Sequence, residues 1–191
     1  MPSQEYINKT NKYFNPATGC PGGCIAALFG VKDDEYDRML SETLNSMNFK
    51  EKALGKIGLD EDQLKEIPPV YFHGFYYKDN AMYRIGKDGR LRSSKYSATW
   101  LFFSGSQVYM YQHVLDMAST WKKEVTEEYF YKDITNFSTV TETVTVGGKN
   151  MEVNEFALIV PGDKFFCSIS GVPDADRAIS AMKQKLREKK G

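Results

Sequence analysis

Six basic side chains lie close together in one polar stretch of the 191-residue chain. Between residues 84 and 95 they are opposed only by Asp88. Phosphate groups are bound by several convergent cations, and arginine adds bidentate hydrogen bonds. The stretch therefore predicts an anion-binding site made of Lys78, Arg84, Lys87, Arg90, Arg92 and Lys95. A second interpretation stays open: residues 87–90 are also a good turn sequence, and the cations would then surround a solvated β-hairpin tip.

Residue types that commonly perform catalysis are scarce. The two histidines, His73 and His113, stand among aromatic residues of predicted strands, where a histidine more often packs and forms hydrogen bonds than acts as a base. The chain has no G-x-S-x-G, H-E-x-x-H or P-loop motif. We therefore predict a protein that is not an enzyme, with no catalytic residues and no cofactor.

Cys20 and Cys24 stand in the segment Gly-Cys-Pro-Gly-Gly-Cys, which has some features of a metal-binding loop. Tetrahedral zinc needs four ligands, and the remaining candidates are Cys167 and the two histidines, which lie on separate predicted strands. We predict a Gly-Pro turn with two reduced thiols rather than a metal site. Three cysteines also make no disulfide framework.

Charge and hydropathy narrow the range of partners. Lys plus Arg and Asp plus Glu both total 25, so the net charge is zero, whereas a nucleic-acid-binding domain normally has a positive surplus. No segment approaches the roughly 20 apolar residues of a membrane-spanning helix, and the first residues lack a signal-peptide core. We expect no nucleic-acid partner, no transmembrane segment and a cytoplasmic location, with peripheral attachment to a membrane as an open alternative.

The elements that would position these residues change character near residue 68. Before it, the segment 34–47 places apolar residues on one face at three- and four-residue steps, which predicts a helix. Asn48 opens a short helix that ends at Gly58, and Asp60 begins a third helix that ends at Pro68-Pro69. We therefore predict a small helical appendage over residues 1–68.

After Pro69 the periodicity falls to two, and β-branched and aromatic residues dominate. This pattern predicts strands at 70–78, 96–104, 107–116, 127–135, 138–146, 151–160 and 164–170. A final amphipathic helix over 174–190 has its apolar stripe at Ala175, Ile179, Met182 and Leu186.

This order of elements resembles the pleckstrin-homology-like superfold. The features that carry the resemblance are the long connection 79–94, the hairpin at Gly147-Gly148 and the helix directly after the seventh strand. The segments WLFFS (100–104), QVYMY (107–111) and EYFYKDIT (128–135) are also similar to an uncharacterised bacterial group with this fold. The resemblance covers about residues 70–190 and implies an α+β, mainly β fold: a seven-stranded antiparallel bent barrel capped by a C-terminal helix. Lys78 and Arg90-Leu-Arg92 match the outline of its phosphoinositide-binding members.

Two functions of different class follow. In the first, residues 69–191 form a non-enzymatic binding module that recognises a protein or peptide partner or an anionic, phospholipid-type headgroup. In the second, the protein is structural, and its helical appendage is the surface for self-assembly, including a homo-oligomer. We expect residues 70–190 to fold alone, and Arg90 and Arg92 to tolerate replacement as surface residues do.

Overall fold

The computed structural model describes residues 1–15, 30–58 and 68–190. Over these residues the protein is α+β and mainly β, with antiparallel sheets and a C-terminal helix, as predicted. The helices are α1 (Gln4–Phe14), α2 (Asp33–Asn45), α3 (Phe49–Ile57) and α4 (Ala175–Lys190). The strands are β1 (Val70–Tyr76), β2 (Tyr83–Ile85), β3 (Leu91–Ser93), β4 (Lys95–Phe103), β5 (Gln107–Asp116), β6 (Lys122–Phe130), β7 (Asn136–Val146), β8 (Lys149–Val160) and β9 (Asp163–Ser168).

The helices before the sheets begin and end for local reasons. Ser3 caps α1 by accepting a hydrogen bond from the Tyr6 N–H, and α3 ends at Gly58, whose φ of 74° suits glycine. The periodicity predicts α2 and α3 but not α1, because the polar Thr10 interrupts the buried stripe of α1. The helix predicted to begin at Asp60 lies outside the described residues.

The strands in the described part of the chain form three antiparallel sheets. The largest has the order β1-β4-β5-β6, the second has the order β7-β8-β9, and β2 and β3 form a separate short hairpin. No ladder among these strands joins the two larger sheets, so they do not form the closed barrel that the resemblance implies. Hydrogen bonds link β1 to the segment after β9 instead, from the Gly171 N–H to the His73 carbonyl (2.9 Å) and from the Phe75 N–H to Ser170 Oγ (3.2 Å).

Each predicted strand overlaps an observed one, with two differences. The predicted connection 79–94 contains β2 and β3, which are joined by a turn with Lys87 and Asp88 at its centre, closed by a hydrogen bond from the Gly89 N–H to the Gly86 carbonyl. The strand predicted at 127–135 runs instead from Lys122 to Phe130. Its first residues are mostly charged and pair with β5 at a sheet edge, where the alternation that identifies a buried strand is weak.

The first core lies between the two larger sheets and is covered by α4. The predicted stripe of α4 is buried there, together with inward residues of both sheets. Burying a large apolar side chain contributes about 1.5–3 kcal/mol, so this cluster is a major source of stability. Its members in the sheets include Phe72, Leu101, Phe103, Met110, Phe137, Phe156 and Leu158.

A second core lies on the opposite face of the four-stranded sheet, beneath the helices. Tyr13 of α1 stacks on Tyr36 of α2 with a ring separation of 4.7 Å, and both contribute to the same cluster as Tyr96 and Leu115 of the sheet. Strand β4 is consequently covered on both faces. Residues from both sides of the boundary at residues 68 and 69 therefore contribute to this second core. The boundary separates helices from strands but does not separate one hydrophobic core from another.

Candidate functional site

The six cations of the predicted anion site are placed by β2, β3 and their flanking segments, which bring Arg92 beneath α2. The Arg92 side chain is only 1% exposed. Its guanidinium donates hydrogen bonds to both carboxylate oxygens of Asp37 (2.8 and 2.8 Å) and to both of Asp88 (2.9 and 2.7 Å). These bonds hold the pKa of Asp88 well below its usual range and raise that of Arg92. Arg92 thus has two carboxylate partners within the chain.

The same hairpin meets the helices through a second set of bonds. Arg84 donates to the Tyr13 carbonyl at 2.5 Å and lies over the Tyr13 ring, 4.5 Å from its centroid. The Tyr13 hydroxyl and the Lys87 backbone N–H both donate to the Asp33 carboxylate, each at 2.7 Å. We call the group Asp33, Asp37, Arg84, Asp88 and Arg92 the polar latch, because it joins the β2–β3 hairpin to α1 and α2.

Lys78 and Lys95 lie apart from the latch and also contact other groups of the chain. Lys78 Nζ is 2.7 Å from Glu155 and 3.8 Å from Glu142. Lys95 donates to the Asp79 carbonyl, and its Nζ lies 3.7 Å from the centroid of the Trp121 ring. Among the six predicted residues, Lys87 and Arg90 are exposed, and Arg90 is 3.8 Å from Asp37. Anion binding by the six residues stays a prediction. The other four cations have partners within the chain, so the interpretation as a solvated hairpin tip describes only Lys87 and Arg90.

Both histidines pack among aromatic residues, as predicted. His113 is buried against Phe49, and its Nδ1 lies 3.3 Å from the Tyr111 hydroxyl and 3.4 Å from Glu124. Burial lowers the pKa of His113 to about 4, although the Glu124 carboxylate acts in the opposite direction. His73 Nδ1 lies 2.6 Å from the Tyr96 hydroxyl, and burial lowers the pKa of His73 as well.

A groove of about 940 Å³ lies between α2 and the ends of both sheets. The residues of β1 that face away from the first core form the floor of the groove, since alternate residues of a strand face the same side. This floor is a row of half-buried rings: Tyr71, His73, Phe75 and, just after the strand, Tyr77.

The two walls of the groove differ in character. Leu40, Ser41 and Leu44 of α2 line one wall. Four consecutive residues of β8, 151–154, line the other, together with the segment 169–173 and the start of α4. We call this surface the aromatic groove. Its charged lining residues are three carboxylates and one guanidinium: Asp37, Glu152, Asp176 and Arg90.

The described part of the chain contains no candidate metal site, because no three His, Cys, Asp or Glu side chains are grouped there so that they could hold an ion. Cys20 and Cys24 lie outside the described residues, and Cys167 is buried. None of the described helices is both long and apolar enough to cross a membrane.

Comparison with known proteins finds no matching family, curated protein or solved structure. The resemblance to the pleckstrin-homology-like superfold therefore stays a prediction. The aromatic groove is the feature that the sequence-based prediction missed. The sequence signals it only by aromatic rings at alternate residues of β1, namely Tyr71, His73 and Phe75. The wall formed by α2 depends on tertiary packing.

Proposed function

We propose that this protein is a non-enzymatic recognition module that binds a segment of a partner protein in the aromatic groove. The observation that carries the proposal is the row of half-buried rings on the floor of this groove. Tyrosine and phenylalanine are enriched at protein interfaces because they offer a large apolar area at a low entropic cost. We also propose that the four-stranded and three-stranded sheets with their C-terminal helix are a variant of the pleckstrin-homology-like architecture.

The dimensions of the groove suit a peptide better than a small metabolite. Its volume of about 940 Å³ is at the upper end of small-molecule pockets. Its lining joins rings on β1 with apolar side chains on α2 and the consecutive residues 151–154 of β8, which is a mixture that a peptide can match.

The polar latch supports recognition by holding one wall of the groove in place. Asp37 belongs to α2, and its bonds to Arg92 fasten this helix to the β2–β3 hairpin. A site that is already arranged loses less conformational entropy on binding. The apolar residues of the helices, by contrast, are largely buried against their own sheet, so the groove is a better candidate surface than the helical appendage.

A phage-displayed library of random peptides, each about ten residues long to match a long strand, tests this proposal. Peptides selected on the full chain are then measured against Ser41→Trp, which fills the groove from an exposed position of α2. Asp34→Trp is the matched control, because Asp34 is exposed on the same helix and does not line the groove. We expect binding to Ser41→Trp to be weaker by about 10-fold or more, with the control unchanged. A library that yields no peptide sensitive to Ser41→Trp contradicts the proposal.

A further inference from the structure

We infer that the partner segment is an extended, basic peptide that adds a strand to the open edge of β8 and pairs a cationic side chain with Glu152. This inference rests on the proposed function and specifies the way in which the groove is used. It is carried by the register of the three-stranded sheet and by the charges that line the groove.

Strand β8 is longer than its neighbour β9. Its pairing with β7 extends to Lys149, whereas its pairing with β9 ends at Glu155, opposite Ser168. One more backbone hydrogen bond follows this ladder, from the Ile169 N–H to the Asn154 carbonyl. The chain after β9 then turns toward β1, where the Gly171 N–H bonds to the His73 carbonyl. Among the described residues, no strand continues the line of β9 beside β8.

The direction of the free backbone groups follows from that last bond. The Asn154 carbonyl points away from β7, and successive residues of a strand point their N–H and C=O groups to alternate sides. Glu152 and Asn150 therefore direct their backbone groups toward the line of β9. Because Glu152 and its neighbours line the groove, this edge is the groove wall, where an extended peptide can continue the sheet.

The charges of the groove indicate which peptide fits. Glu152 and Asp176 are exposed, and the guanidinium of Arg90 lies beside Asp37 instead. Opposite charges on directly paired residues of an antiparallel sheet attract each other, whereas like charges repel. A lysine or arginine opposite Glu152 is thus favoured, and the rings on the groove floor accept further cationic or apolar side chains.

The peptides selected from the library test this inference with three variants. Glu152→Pro removes the N–H that points into the groove and leaves the β7–β8 ladder intact, because edge strands tolerate proline with its nitrogen outward. Thr143→Pro is the matched control: Thr143 lies directly opposite Glu152, so its N–H points to the outer edge of β7. Glu152→Lys reverses the charge and keeps every backbone group. Melting temperatures establish that each variant is folded.

We expect the selected peptides to be basic and to bind Glu152→Pro about 10-fold more weakly, with Thr143→Pro unchanged. Glu152→Lys should bind these peptides about 5-fold more weakly. It should bind them better once their lysines are replaced by glutamate. Some peptides could lose affinity for Ser41→Trp and yet bind Glu152→Pro and Glu152→Lys as tightly as the unsubstituted chain. That result would overturn strand addition and leave the groove proposal standing. If no peptide is sensitive to Ser41→Trp, both proposals fail.

Discussion

Replacing Arg92 with methionine should destabilise the protein far more than replacing its neighbour Arg90. Arg92 is 1% exposed and donates four hydrogen bonds to Asp37 and Asp88, whereas Arg90 is 67% exposed and lies 3.8 Å from Asp37. Arg92→Met retains a long apolar stem and removes the charge. It leaves two carboxylates, which are 34% and 41% exposed, without their main cationic partner.

The expected cost follows from the burial of the three groups. Removing one partner of a buried ion pair costs about 3–5 kcal/mol, because a buried charge is left uncompensated. Here the remaining charges are partly hydrated, so we expect a loss of about 3 kcal/mol, at the lower end of that range. In a chain of this length, each kcal/mol shifts the melting temperature by about 2–4 °C, which predicts a decrease of about 6–12 °C.

Thermal unfolding of Arg92→Met, Arg90→Met and the unsubstituted chain at neutral pH measures this difference. Arg90→Met should stay within about 0.5 kcal/mol of the unsubstituted chain, as exposed ion pairs contribute little. Burial thus reverses the expectation, drawn from the sequence, that Arg92 tolerates replacement. Equal melting temperatures for the two variants would refute the argument that the polar latch holds the hairpin against α2.

The remaining predictions concern stability. The shared second core reverses the expectation that residues 70–190 fold alone: a truncated chain that begins at Pro69 should aggregate or bind a hydrophobic dye, because it exposes the sheet face that α1–α3 cover. A folded monomer with an unchanged melting temperature would show that the helices are dispensable. Stability should fall by on the order of 2 kcal/mol between about pH 7 and pH 5, because the low folded-state pKa of His113 makes the unfolded chain bind more protons there. His113→Gln should reduce this dependence of the unfolding free energy on pH, measured by urea titrations at several pH values. An unchanged pH dependence would exclude His113 as its source. Gly55→Ala should raise the melting temperature by about 1–4 °C, since an added Cβ meets nothing within 4 Å in the middle of α3, and a decrease would contradict this. A strong chelator should leave the melting temperature unchanged, because we assign no metal to residues 19–24, and recovery of zinc with a lower melting temperature would disprove that.

Local patterns predict most of the fold because they report local physics. Gly147 and Gly148 adopt φ values of 57° and 78°, as the turn between β7 and β8 requires, and the sequence marks this hairpin by the glycine pair. The stripe of α4 is buried as its three- and four-residue spacing predicts. Strand β6 is displaced from its prediction because its charged first half has no buried face to show a period.

The environment of the basic residues could not be predicted in this way, because it depends on long-range contacts. Arg92 and Asp37 are separated by 55 residues, and no local pattern indicates that they meet. The same limit applies to the aromatic groove, whose walls come from α2 and β8. A run of cations in a loop therefore predicts a charged segment, while its partners become known only with the tertiary structure.

Amide hydrogen exchange, measured residue by residue with and without a selected peptide, tests recognition in the aromatic groove most directly. If the peptide adds to β8, the exchange of the Asn150 and Glu152 amides should slow by about 10-fold or more on binding, because those N–H groups become hydrogen-bonded. The Thr143 amide on the opposite edge of the hairpin should exchange at its original rate. Unchanged exchange at Asn150 and Glu152 would contradict strand addition to β8, and protection confined to residues that do not line the groove, such as Thr143, would contradict recognition in the groove.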